Sequence, residues 1–217
     1  MQKPTLALAF SGGLDTSYCV PRLTERGFSV HTVFVNTGGT TPEQCAAIRA
    51  QAMAVGAVDH HEVDARDLVF NRFVRFLIQA NVLRGEVYPL SVAAERTQQA
   101  ISVVAVAREI GAVAVAHGST GAGNDQIRFD IALRVLAPEL EIVTPIREEN
   151  LSREASIAYL EARGLPVPPK SGAFSNVLPV QTWSATSLHN FAFASDGTRT
   201  TALYRSESRL MNARRAV

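Results

Sequence analysis

The chain has 217 residues, of which 47% are hydrophobic and 19% charged, with a formal net charge of +1. This is the composition of a globular protein with a real core, organised as one domain or a domain with an appendage. It excludes the basic surface of a nucleic-acid-binding protein, and no apolar run approaches the length needed to span a membrane.

The N-terminus, Met1-Gln-Lys-Pro, runs without a secretory leader into an apolar stretch, Thr5 to Phe10, that reads as a buried strand ending at Ser-Gly-Gly. A helix is expected from about Asp15 to Arg26, closed by Gly27 and kinked by Pro21. Phe28 to Val35 is rich in β-branched residues and predicts a second strand. Thr41-Pro-Glu-Gln44 has the form of a capping box and opens a helix to about Val55. Val58 to Val63 predicts a third strand, followed by an apolar-periodic helix from about Ala65 to Ala80 and a loop from Asn81 to Leu90.

A long helix from about Val92 to Ile110 then leads to a strand, Ala112 to Ala116, and to a polar loop. After it come a helix to about Val135, a strand from Leu140 to Ile146 and a helix from about Ser152 to Arg163. Strands alternating with helices predict right-handed crossovers and a doubly wound, mainly parallel α/β sheet covered on both faces. Beyond Pro166 the pattern changes. From Asn176 onward the chain has no sustained period and is rich in serine and threonine. Residues 1–170 are therefore read as one α/β domain, and 171–217 as an irregular extension unable to fold without missing partners. Cys19 and Cys45, two isolated thiols, suit a reducing cytoplasm. His31, His60 and His61 read as structural, because no third ligand stands at metal spacing along the chain.

Two loops carry chemistry. Ser11-Gly12-Gly13-Leu14-Asp15-Thr16-Ser17 lies between a strand and a helix, where backbone N–H groups and the helix dipole favour an anion. Gly12 and Gly13 allow the backbone to approach phosphate oxygens, and the hydroxyls of Ser11, Thr16 and Ser17 can add hydrogen bonds. Asp15 is anionic, so it fits a phosphate site with Mg²⁺ between the two. No Gly-Lys-Ser/Thr is present, which separates this loop from the usual nucleotide P-loop.

The second loop, Gly118-Ser-Thr-Gly-Ala-Gly-Asn-Asp-Gln126, should lie at the carboxyl end of the sheet, where ligands gather in open α/β folds. Thr120, Asn124, Asp125 and Arg128 offer a hydroxyl, an amide, a carboxylate and a guanidinium. A zwitterionic amino acid needs such a mixture, an acceptor for its ammonium and a bidentate arginine for its carboxylate.

Ala9 to Ser17, AFSGGLDTS, resembles the AYSGGLDTS string of the argininosuccinate synthase family, within the wider ATP pyrophosphatase group. His117 to Phe129 is similar to that family's HG-x-TGKGNDQ-x-RF signature, and the likeness covers roughly Leu6 to Ser175. The resemblance implies an adenine nucleotide alpha hydrolase-like fold. It also implies an ATP- and Mg²⁺-dependent ligase that joins citrulline to aspartate through a citrullyl-adenylate, releasing AMP and pyrophosphate, in arginine biosynthesis. By position, Ala9, Phe10, Ser11, Gly12, Gly13, Leu14, Asp15, Thr16 and Ser17 would hold ATP, with Val35 near the adenine and His117 and Gly118 completing the pocket. Thr120, Asn124 and Asp125 match aspartate positions; Tyr88, Asn124, Arg128 and Ser175 match citrulline positions. Asp15 and Asp125 are the carboxylates placed closest to the chemistry, and Asp15 is the Mg²⁺ ligand.

The sequence departs from the family at two places in this region. Ala122 stands where the signature has lysine, and Ser91-Val-Ala93 replaces a Gly-Thr-Ser string, which leaves a modified citrulline open as the substrate. Family members are about twice as long and carry a second domain that completes the site and mediates tetramer formation. The likeness ends shortly after Ser175, as a truncated or frameshifted reading frame would leave it. A homo-oligomer is expected if the second domain is complete, and the alternative reading is a non-catalytic ATP-binding fragment.

Overall fold

The computed structural model describes residues 3–80, 83–84, 88–89, 91–121 and 124–169, all within one compact unit that spans Met1–Asn176. The expectation for 171–217 lies outside these residues. In chain order the elements are β1 (Thr5–Ala9), α1 (Leu14–Glu25), β2 (Ser29–Asn36), α2 (Pro42–Ala54), β3 (Asp59–Asp64) and α3 (Arg66–Val69). A π-helical turn, Phe70–Val74, joins α3 to α4 (Arg75–Gln79). Then follow β4 (Leu83–Arg84), β5 (Tyr88–Pro89), α5 (Ser91–Glu109), β6 (Ala114–His117), α6 (Asp125–Leu136), β7 (Glu141–Val143), α7 (Pro145–Glu148) and α8 (Arg153–Glu161).

Three expectations are corrected. The helix read over Ala65 to Ala80 is interrupted by the π turn, an inserted residue that apolar periodicity does not register. The Asn81–Leu90 loop contains a two-residue antiparallel ladder, Leu83 opposite Pro89 and Arg84 opposite Tyr88. The strand read to Ile146 stops at Val143, because Pro145 stands at the first position of a helical turn whose Glu148 carboxylate accepts the Thr144 N–H at 2.6 Å. Ile146 is still buried, but on a helical turn.

The helix ends follow local chemistry. Thr41 and Gln44 form a complete reciprocal capping box at the start of α2. At the end of α1, Gly27 adopts φ +95°, its N–H bonds the Thr24 carbonyl and the Phe28 N–H bonds the Leu23 carbonyl. That reversal turns the chain directly into β2.

Five strands form one wholly parallel sheet in the order β3-β2-β1-β6-β7. The chain winds outward from β1 to β3, then returns through α5 to place β6 on the other side of β1. The strand order thus reverses between β1 and β6, and in open α/β sheets the crevice beyond such a switch point is where ligands bind. Alternate residues of β1 divide between two cores. Leu6 and Leu8 pack with Val30, Phe34, Tyr18 and Ile48 on the α1/α2 face, while Ala7 packs with Val33, Val103, Ala107 and Leu133 on the α5/α6 face. Small residues on the second face let α5 lie close to the sheet. No helix among the described residues is long and apolar enough to cross a membrane.

His60 is buried on the α1/α2 face, its Nδ1 2.8 Å from the Thr32 hydroxyl and its ring edge-on to Phe10. Burial pushes its pKa down to about 4, so the folded imidazole is neutral where an unfolded one, near 6.5, accepts a proton. Between these values the unfolded chain binds the extra proton, so folding stability falls as pH drops through that window. Thermal melts from pH 7 to 4 are expected to show this loss, and His60→Asn is expected to flatten the pH dependence while leaving the neutral-pH melt comparatively little changed.

Candidate active site

The first loop leaves the sheet at Phe10, whose N–H bonds the Val33 carbonyl at 2.9 Å. Gly12 then takes φ +77°, and a Cβ there would sit 3.0 Å from Ile48 Cγ1, so the turn packs directly against α2. The loop is held by its own hydroxyls. Ser11 Oγ lies 3.2 Å from Thr16 Oγ1 and accepts the Gly13 N–H, while Thr16 Oγ1 donates to the Gly13 carbonyl. The N-cap of α1 is Gly13, and no side chain caps the helix. The first-turn N–H groups of Leu14, Asp15 and Thr16 therefore have no intrahelical acceptor and no cap, an arrangement suited to an anion.

Asp15 is half-buried at this helix start. Burial pushes its carboxyl above the ordinary range, with Arg153 pulling in the opposite direction. Ser17 lies elsewhere than its hydroxyl was expected: it is fully buried and accepts a hydrogen bond from Gln51 Nε2 at 3.2 Å, one turn into the helix. Gln51 also donates to the Pro166 carbonyl, tying α2 to the segment after α8. Val35 is buried in β2 opposite Val63, one residue before the strand end.

The second loop starts on the neighbouring strand, with His117 paired to Ala9 in register. A Cβ on Gly118 would meet Thr16 Cγ2 at 3.1 Å and the backbone of Asp15 and Thr16 at 3.2 Å. The two sequence motifs, about a hundred residues apart, are thus in contact through this glycine. Gln126 reaches back from α6 to donate to the Gly121 carbonyl at 3.2 Å, holding the loop's shape.

His117 does not point its side chain into the crevice. It is 2% exposed, stacks on Phe129 and donates from Nε2 to Asp130 at 2.9 Å. Its Nδ1 accepts the Ser119 N–H at 3.4 Å, which assigns the neutral Nε2–H tautomer, and burial holds its pKa down. Asp130 in turn receives a bidentate Arg147, at 2.8 and 3.0 Å. Burial opposes the Asp130 charge, but the hydrogen bonds from Arg147 and His117 outweigh it and hold the carboxyl below its ordinary value. The triad fastens the end of β6 to α6 and α7.

Asn124 is the N-cap of α6 and exposed; its carbonyl accepts the Arg128 N–H at 3.1 Å. Asp125 shares its carboxylate between two guanidiniums, Arg128 Nη1 at 2.8 Å and Arg96 Nε at 3.1 Å. Arg96, on α5, is 3% exposed and also donates to Gln99. Thr120 is exposed at the loop tip. Tyr88 contributes backbone to β5, its side chain lying outside the described residues along with Ala122 and Ser175. The structure thus brings Ser11 to Thr16, Gly118 and the start of α6 to one end of the sheet. Arg96, Gln126, Asp130, Arg147 and Arg153 were missed by sequence reading. Gln126 and Asp130 stand inside the second motif, whereas Arg96, Arg147 and Arg153 come from other elements.

Residues 5–166 match the Arginosuccinate synthase N-terminal HUP domain. The chain belongs to the argininosuccinate synthase family. It is 40% identical over 168 residues to the argininosuccinate synthase of Geobacillus thermodenitrificans, covering 77% of this chain and 41% of the relative. To that of Methanocaldococcus jannaschii it is 41% identical over 169 residues, covering 77% and 42%. To that of Xanthomonas axonopodis pv. citri it is 42% identical over 174 residues, covering 78% and 42%. The chain therefore spans about two fifths of the length of these relatives.

Gly118→Ala is expected to force the two loops apart, since two of the three atoms it meets are backbone. A loss of about 1–3 kcal/mol in urea denaturation is the expected outcome; unchanged stability would show that the approach is not constrained. Asp130→Asn weakens the hold of Arg147 and His117, and about 1–3 kcal/mol of destabilisation should be measurable in the same way.

Proposed function

We propose that this chain binds Mg-ATP across the two loops and serves an ATP-dependent ligase of the argininosuccinate synthase type, joining citrulline to aspartate. The observation that carries the reading is the contact of Gly118 with Asp15 and Thr16, which puts the uncapped start of α1 beside the polar loop.

The residues present fit the nucleotide. Ala9 to Leu14 and the N–H groups of Leu14, Asp15 and Thr16 would hold the phosphates, and Asp15 supplies an oxygen suited to Mg²⁺. Val35 and the backbone of His117 and Gly118 would line the nucleotide; the His117 side chain acts as an internal strut. Thr120, Asn124 and Asp125 would hold aspartate, with the Asp125 carboxylate oriented by its two arginines. Asn124, Arg128, Tyr88 and Ser175 would hold citrulline. In this reading the citrulline ureido oxygen attacks the α-phosphorus and pyrophosphate leaves; the aspartate amine then attacks the ureido carbon that bears the adenylate, and its C–O bond breaks to release AMP. Positioning and neutralisation of phosphate charge supply most of the rate.

A second reading is ATP binding without ligation. Calorimetry with Mg-ATP, then citrulline, separates the two, together with assay of AMP and pyrophosphate. Citrulline- and aspartate-dependent AMP supports the ligase. ATP heat with neither citrulline heat nor AMP supports binding alone, and absence of ATP heat overturns both. Asp15→Asn removes one charge-assisted contact and is expected to weaken Mg-ATP binding about 10- to 100-fold.

A further inference from the structure

β2 and β3 run in parallel with His31 opposite Asp59 and Val33 opposite His61. Positions 59 and 61 are alternate residues of one strand, so His31, Asp59 and His61 share a face of the sheet. Their side chains converge. His31 Nδ1 lies 3.3 Å from His61 Nε2, and that nitrogen lies 3.6 Å from Asp59 Oδ2. One ligand atom from each of the three residues falls within 4.8 Å of the others, and the two rings are stacked with centroids 5.6 Å apart. The His60 side chain, between Asp59 and His61, points to the opposite face, while its backbone N–H donates to Asp59 Oδ1 at 2.7 Å and leaves Oδ2 toward His61.

We infer that His31, Asp59 and His61 form a binding site for a divalent transition-metal ion of the zinc class. Two zinc–nitrogen bonds of about 2.05 Å at a tetrahedral angle separate their nitrogens by about 3.3 Å, the spacing found here. Two imidazoles and a carboxylate are a donor set that suits zinc, cobalt, nickel and copper. The two nitrogens that face each other at 3.3 Å can share one proton at most, so at least one of them presents a lone pair toward its neighbours. The Asp59 carboxyl is held below its ordinary value first by the His60 N–H, then by the two facing imidazoles and, more weakly, by Arg49 on α2. All three side chains are partly or fully open to solvent, which provides an entry path and room for water as a fourth ligand.

The site is separate from the proposed nucleotide crevice. From His31 to Asn36 the strand advances five residues, roughly 16 Å at about 3.3 Å each. A metal held there would clip β3, the outer strand of the five-stranded sheet, to β2. Sequence spacing conceals the set, because register alone brings residues about thirty positions apart together.

The test uses the full chain, stripped with chelator, with zinc chloride titrated by calorimetry in a non-coordinating buffer and cobalt(II) followed by visible absorption. Saturable uptake of one equivalent, a raised melting temperature and cobalt bands of four- or five-coordinate intensity are expected. Asp59→Asn should weaken zinc by about tenfold or more, and His31→Gln with His61→Gln should abolish the cobalt bands. Wild-type protein that takes up no zinc overturns the site and leaves a hydrogen-bonded histidine pair only. Uptake undiminished in both variants overturns it equally. The wild-type spectrum keeps the test decisive should the double variant fail to fold, and neither result bears on ATP binding.

Discussion

The rest of the site depends on the missing side chain at Gly118. β1 and β6 are neighbours in the sheet, so the loops that leave them must occupy the same small volume. Glycine lets the backbone after β6 lie against the first turn of α1, where a Cβ would crowd Thr16 Cγ2 and the Asp15–Thr16 backbone at 3.1–3.2 Å. Because this close packing is backbone against backbone, a small displacement cannot be absorbed by a rotamer change. The polar groups of the second loop therefore inherit their position from the helix that would cradle phosphate.

Electrostatics complete what sterics begin. Buried His117 and the partly exposed Asp130 and Arg147 form one hydrogen-bonded unit behind the loop, and Asp125 is gripped by Arg96 from α5 and Arg128 from its own helix. The partners from outside α6 come from α5, β6 and α7, which holds the start of α6 against rotation. Arg147 suits the role because its planar fork meets both oxygens of Asp130 at once.

How much of this was legible in the sequence follows the range of the interactions. β1, β2, α2 and the helix reversals at Gly27 and Gly56 rest on periodicity, a capping box and glycine at the C-terminal position, all readable within a few residues. The early end of β7 depended on Pro145 outweighing an apolar run, and the π turn at Phe70–Val74 left no compositional trace. The two loops were found because their residue types are strung together, but their contact through Gly118 needed the strand order. Arg96, Arg147 and Asp59 were invisible for the same reason: each acts on a partner from another element. The sequence named His117 beside the pocket but not where its side chain goes, which is set by Asp130 and Phe129, about one and a half helical turns into α6 beneath the loop.

The glycine at the head of α1 has a consequence for how this protein can evolve. Helices gain about a kilocalorie per mole from a serine, threonine or aspartate cap, and selection for robustness alone would readily supply one at position 13. Such a side chain would fold over the same N–H groups that the proposed phosphate contacts use. If α1 cradles phosphate as proposed, those N–H groups would tie the melting temperature of the domain to the concentration of the anion it binds.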